Sequence, residues 1–185
     1  MISLILASGS PRRKELLCQI GASFEVVPST FEEVVQGSPQ EIVTCNALGK
    51  AREVAQRVGK GWVLGADTVV VHDGQVLGKP VDRADADGML RQLSDDWHEV
   101  LTALALVNGE TGASLVDLVT TRVHMRALTD EEIDVYLDSD EPYDKAGAYA
   151  IQGRAATFVD CIEGCYYNVV GLPLSRLVEL WHQLG

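Results

Sequence analysis

The segment Ala7-Ser8-Gly9-Ser10-Pro11-Arg12-Arg13 limits what this chain can fold into more than any other. An apolar run, Ile2 to Leu6, precedes it, and an apolar-periodic stretch, Leu16-Leu17-Ile20, follows. A strand is therefore expected to end in a turn of small residues, with a helix beginning at Pro11. Proline suits the first helical turn, and Ser10 is a good N-cap. Free backbone N–H groups at such a helix start form an anion site. Two arginines there oppose the positive end of the helix dipole. A bound polyphosphate offsets that repulsion; two solvated arginines beside a cap are the plainer alternative.

Strand and helix signals alternate through the rest of the 185 residues, which argues for one α/β domain spanning 1–185. A second strand is expected over Phe24 to Pro28. Ser38-Pro39-Gln40-Glu41 is a capping box opening a helix to about Val58. Trp62 to Val71 reads as a buried strand, and Asp73-Gly74 as a hairpin turn into Val76-Leu77. A helix over Arg83 to Leu93 precedes two long strands, Glu99 to Val107 and Ser114 to Met125. Thr129-Asp130-Glu131-Glu132 caps a helix to about Asp138. Asp140 to Gly147 is a polar loop, short strands follow near Thr157 to Ile162 and Tyr167 to Val170, and Pro173 to Leu184 is a closing helix. The hairpins make the sheet mixed.

The net charge of −12 argues against nucleic acid as a surface partner. A polyanionic small substrate then needs a local cationic pocket, for which Arg12, Arg13, Lys50, Lys79 and Lys145 are candidates. No apolar run approaches the ~20 residues that span a bilayer, and the first apolar run is too short for a signal peptide. The expectation is a cytoplasmic protein without a membrane partner. Cys18, Cys45, Cys161 and Cys165 match no zinc spacing and are expected as free thiols, with Cys18 in the core.

Asp67 lies inside Val63-Leu64-Gly65-Ala66-Asp67-Thr68-Val69-Val70-Val71. A carboxylate in such a strand costs several kcal/mol unless it is paired or binds a metal. It is either a general base or metal ligand, or an Asp bonded to backbone amides at a bulge. Gly65 and Ala66 leave room for a ligand to approach. Glu33 can add a second carboxylate, and two carboxylates with triphosphate oxygens suit magnesium or manganese; a solvated Glu32-Glu33 loop is the alternative. Gly78-Lys79-Pro80 fixes a lysine across the hairpin from Asp67. Lys50 sits late in its helix. His98, at a strand start, reads as structural. In Asp144-Lys145-Ala146-Gly147-Ala148-Tyr149-Ala150-Ile151-Gln152-Gly153, Lys145 can meet phosphate oxygens and the Gln152 amide suits a pyrimidine edge. P-loop, dinucleotide-binding and nucleophile-elbow motifs are absent from the sequence.

Taken together these residues resemble the Maf family of nucleoside triphosphate pyrophosphatases. The resemblance rests on Leu6-Ala7-Ser8-Gly9-Ser10-Pro11-Arg12-Arg13, Lys50-Ala51, Gly65-Ala66-Asp67-Thr68-Val69-Val70, Gly78-Lys79-Pro80, His98-x-Val100-x-Thr102, Asp144 to Tyr149, and Val170-Gly171-Leu172-Pro173. It implies a mixed α/β fold like that of the inosine-triphosphate pyrophosphatases, two lobes around a cleft and a homodimer. It implies cleavage of a nucleoside triphosphate to monophosphate and pyrophosphate with a divalent metal, magnesium or manganese. Asp67 then matches the proton acceptor, and Arg12, Thr68 and Gln152 match specificity positions. Ser10, Arg13, Glu33, Lys50 and Lys79 match pocket residues. Tyr149 to Ala156 resembles the dTTP/UTP branch. The 7-methyl-GTP branch, and a nucleotide-binding regulator of septation without turnover, are the alternatives. Asp95 stands where the family commonly has glycine.

Overall fold

The computed structural model describes residues 4–184, so Ile2 and Ser3 of the first expected strand, and both ends of the expected 1–185 domain, lie outside it. The order is β1 (Leu4–Leu6), α1 (Pro11–Gln19), β2 (Phe24–Val26), α2 (Pro39–Val58), β3 (Trp62–His72), β4 (Gln75–Leu77), α3 (Arg83–Leu93), β5 (Asp96–Asn108), β6 (Ser114–Met125), α4 (Asp130–Leu137), β7 (Val159–Glu163), α5 (Tyr166–Val170) and α6 (Leu174–His182). Seven strands form a mixed sheet in the order β2-β1-β3-β5-β6-β7, with β4 on β3. β1 runs parallel to β2 and β3, whereas the β3–β4 and β6–β7 pairs are antiparallel. The α/β class with a mixed sheet is as the sequence implies.

The described residues cluster into two compact units, one of residues 4–67, 102–119 and 171–184 and one of residues 68–101 and 120–170. In the first, β1 is buried at every position, and Leu16 and Leu17 of α1 and Val43, Ala47, Ala51 and Val54 of α2 complete an apolar interior. Each fully buried Leu or Val contributes about 1.5–3 kcal/mol. In the second, Leu90, Leu93, Val123, Met125 and Ile133 fill the equivalent role.

Local chemistry explains most boundaries. Ser38 and Thr129 both form complete capping boxes, with Glu41 and Glu132 returning the bond. Gly59 ends α2 at φ 66°, a left-handed position that glycine takes without a Cβ penalty. Asp95, at the position where the resemblance implies glycine, has φ 60°. Aspartate is among the few side chains that tolerate that region.

Two expectations fail. Tyr167 to Val170 is not a strand but part of α5. The Asn168 side chain is buried and donates to Val100 O at 2.8 Å and to Thr121 Oγ1 at 3.0 Å. The backbone N–H groups of Asn168 and Val169 meanwhile bond to Cys165 O, which closes helical turns and overrides the strand preference of Tyr and Val. Cys18 is exposed, not in the core, because the inward face of α1 is taken by Leu16 and Leu17. All four cysteines are free thiols.

Candidate active site

The turn after β1 closes on itself through Ser8. Its buried hydroxyl oxygen accepts from Ser10 N–H at 3.2 Å and from Arg13 Nη1 at 3.2 Å. Ser10 caps α1 by accepting from Arg13 N–H. Arg13 also donates from Nε to Gly171 O at 3.0 Å, so two faces of the guanidinium are fixed in direction. Burial lowers the Arg13 pKa from its ordinary value, Asp67 pulls it back up, Arg12 lowers it and Glu33 raises it. Arg13 is thus a cation in the field of both expected carboxylates.

Asp67 is 8% exposed on β3, and it is not an Asp tied to bulge amides. Its Oδ1 accepts from Lys50 Nζ at 2.7 Å and its Oδ2 from Asn46 Nδ2 at 3.1 Å. Lys50 Nζ also lies 2.6 Å from Glu33 Oε1. One ammonium therefore gathers both carboxylates, and pairing offsets the cost of taking three charges partly out of water.

The loop between β2 and α2 delivers Glu33 by lying along one face of α2. Ser29 Oγ and Thr30 N–H donate to Glu53 Oε2 at 2.7 and 3.0 Å. The Phe31 ring fills the space over Gly49, where a Cβ would come within 2.3 Å of the ring. Val34 is held through its main chain by Asn46. Positions 46, 49, 50 and 53 share a helix face by their 3–4 spacing.

Gly65 has a different role from the one expected. A Cβ there would lie 2.2 Å from Ala47 O and 2.9 Å from Ala51 N. The missing side chain admits the backbone of α2 rather than a ligand, and this close approach brings Lys50 to Asp67.

Ser10, Arg12, Arg13, Glu33, Lys50 and Asp67 thus lie in the first unit. Thr68, Lys79, Lys145 and Gln152 belong to the second. Thr68 is half-buried in β3, while Lys79 is exposed in the loop after β4 and Gln152 is exposed in a turn. The Lys145 ammonium pairs with the neighbouring Asp144 carboxylate. His98 is buried, 2% exposed, with Nε2 2.7 Å from Tyr149 Oη and no partner for Nδ1. Burial pushes its pKa down to about 4 and raises that of Tyr149 above its usual value. The structural reading of His98 agrees with this neutral, packed state.

Asn46 is a site residue that no motif in the sequence singles out. One signal was present: it stands four residues before Lys50 in a helix interior, where asparagine is a poor helix former. Glu33 and Asp67 are hard oxygen donors converging on one cation, a set that suits magnesium or manganese, which take few carboxylates and complete their shell with phosphate and water. Among the described residues no group of three or more His, Cys, Asp or Glu is arranged to hold a metal ion. Two carboxylates are within what such an ion needs when a phosphate supplies the rest.

Comparison with known proteins identifies similar sequences over the whole chain. A relative from Acetivibrio thermocellus named dTTP/UTP pyrophosphatase is 48% identical over all of this chain and 96% of its own length. Relatives of the same name from Symbiobacterium thermophilum and Gloeobacter violaceus are 54% and 51% identical, over 100% and 97% of this chain and 95% and 94% of their own. The family model described as Maf-like protein matches residues 3–184, so the chain whose β1–α1 turn and Asp67 strand have just been described belongs to the Maf-like family.

Proposed function

We propose that the chain is a nucleoside triphosphate pyrophosphatase that hydrolyses dTTP and UTP to the monophosphate and pyrophosphate. The observation that carries the reading is a carboxylate at 8% exposure, Asp67, oriented by Lys50 and Asn46 in the field of Arg13. A site that binds a polyanion through side chains alone gains nothing from two added negative charges. A site that must activate water does. The name borne by full-length relatives supports the same activity and pyrimidine substrates.

Each Asp67 oxygen accepts one hydrogen bond and keeps a lone pair. Asp67 takes a proton from water as that water oxygen bonds to the α-phosphorus. The bond from the α-phosphorus to the bridging oxygen breaks, and pyrophosphate departs with the electron pair. Ser10, Arg12, Arg13, Lys50, Lys79 and Lys145 carry the phosphate charge, and most of the acceleration comes from that charge stabilisation. Glu33 and Asp67 would hold magnesium or manganese, which when bound neutralises phosphate oxygens. Thr68 and Gln152 read the pyrimidine.

The protein is further proposed to act as a cytoplasmic homodimer with no nucleic-acid or membrane partner. Its net charge of −12 supports the first exclusion. Among the described residues no helix is long and apolar enough to cross a membrane.

A pyrophosphate-release assay across dTTP, UTP, 7-methyl-GTP and ITP tests the reading. Turnover of dTTP and UTP well above the two purines is expected. Preference for 7-methyl-GTP would move the chain to the other branch, and saturable binding without release would make it a regulator.

A further inference from the structure

Asn46 is 2% exposed, and its amide spends every donor inside the protein. Oδ1 accepts from Val34 N–H at 2.7 Å. Nδ2 donates one hydrogen to Val34 O at 3.1 Å and the other to Asp67 Oδ2 at 3.1 Å. Only one orientation of the amide satisfies these three bonds, since a flipped group would set an oxygen against two acceptors. The same side chain therefore holds a main-chain peptide next to Glu33 and the carboxylate of Asp67. Lys50, one turn later on α2, collects the two carboxylates that Asn46 has aimed.

We propose that Asn46 is a positioning residue for the reaction: it sets the rotation of the Asp67 carboxylate and, through Val34, the place of Glu33. Without it Asp67 keeps its bond to Lys50 but loses the second bond that fixes the carboxylate plane. The Glu33 segment keeps its contacts at Ser29, Thr30 and Phe31, yet loses the clamp nearest the carboxylate. Phosphate-binding cations are untouched. Truncation should thus cost turnover more than substrate affinity. This rests on the pyrophosphatase reading of Asp67.

The test compares Asn46→Leu, of similar size but without hydrogen bonds, with Asn46→Asp, which can still accept from Val34 N–H. Steady-state rates with dTTP should show kcat reduced about 10- to 100-fold in N46L with KM within about threefold, as expected for a misplaced catalytic group. N46D should lose at least as much, because its carboxylate faces Asp67 Oδ2. A residue that merely tethers the loop predicts near-normal kcat for N46D, and that result would overturn the proposal. So would a rise in KM at unchanged kcat in N46L. Combined with Glu33→Gln, N46L should add less than its separate loss; full additivity counts against action through Glu33.

A substrate-free measurement guards against a variant that does not fold. In the wild-type protein the Val34 amide, outside any helix or strand, should be protected from hydrogen exchange. Fast exchange there removes the clamp whatever the activity. Wild type that releases no pyrophosphate from any nucleotide, with Val34 protected, defeats the enzymatic reading rather than the clamp.

Discussion

Lys50 Nζ lies 2.7 Å from Asp67 Oδ1, with the two side chains only 12% and 11% exposed. The pair joins α2 to β3, and Gly65 makes the approach possible two residues before Asp67. Charge and packing are therefore one feature here: the helix sits close because no Cβ intervenes, and the ion pair forms because the helix sits close.

Lys50→Met should separate these effects. It keeps the aliphatic stem but leaves Asp67 and Glu33 without their shared cation. Removing one partner of a buried pair costs about 3–5 kcal/mol, and the Asn46 bond and the half-exposed Glu33 should hold the loss near the lower end. Calorimetry should record a lower Tm, and pyrophosphate release should fall steeply. An unchanged Tm would mean that the pair carries no stability.

Gly65→Ala adds a single methyl group. Its Cβ would meet Ala47 O at 2.2 Å, and backbone cannot swing aside as a side-chain tip can. Overpacking typically costs about 1–3 kcal/mol. The variant should unfold at lower denaturant and lose activity out of proportion, because α2 must retreat and carry Lys50 with it. A fully active, equally stable variant would contradict the close approach.

His98 supplies a pH dependence. Burial is the main cause of its low pKa of about 4, with His72 and His124 lowering it further and Asp96 raising it. An unfolded histidine titrates near 6.5, so between the two values the unfolded chain binds the extra proton. Stability is complete above about pH 6.5 and falls as pH drops towards 4, by roughly 3 kcal/mol if His98 alone is counted. Denaturant titrations from pH 7 to 4 should show that loss, and His98→Leu should flatten it. The same slope in H98L would assign the effect to other groups.

Much of this was legible in the sequence because local signals and tertiary demands agreed. Ser10-Pro11 and the two capping boxes set helix starts without help from elsewhere. Asp67 stood out because an ionised group in an apolar strand requires a partner, and Lys50 and Glu33 were both in view before their convergence. What stayed hidden depended on contacts between distant segments. α5 forms where strand formers predominate because buried Asn168 reaches Val100 and Thr121, more than 45 residues away. Gly65 reads as space for a ligand in the sequence because its neighbour, the Ala47 carbonyl, lies on another element. Asn46 was missed because a single amide has no periodicity, and only its three partners give it meaning.

The central claim is that the Asp67 carboxylate prepares water for attack on the α-phosphorus, and Asp67→Asn tests it most directly. The substitution keeps the size and planar shape of the group and removes the base. Pyrophosphate release from dTTP, measured beside direct nucleotide binding, should fall by at least about a hundredfold while the nucleotide still binds. Near-normal release of pyrophosphate by that variant would contradict the account.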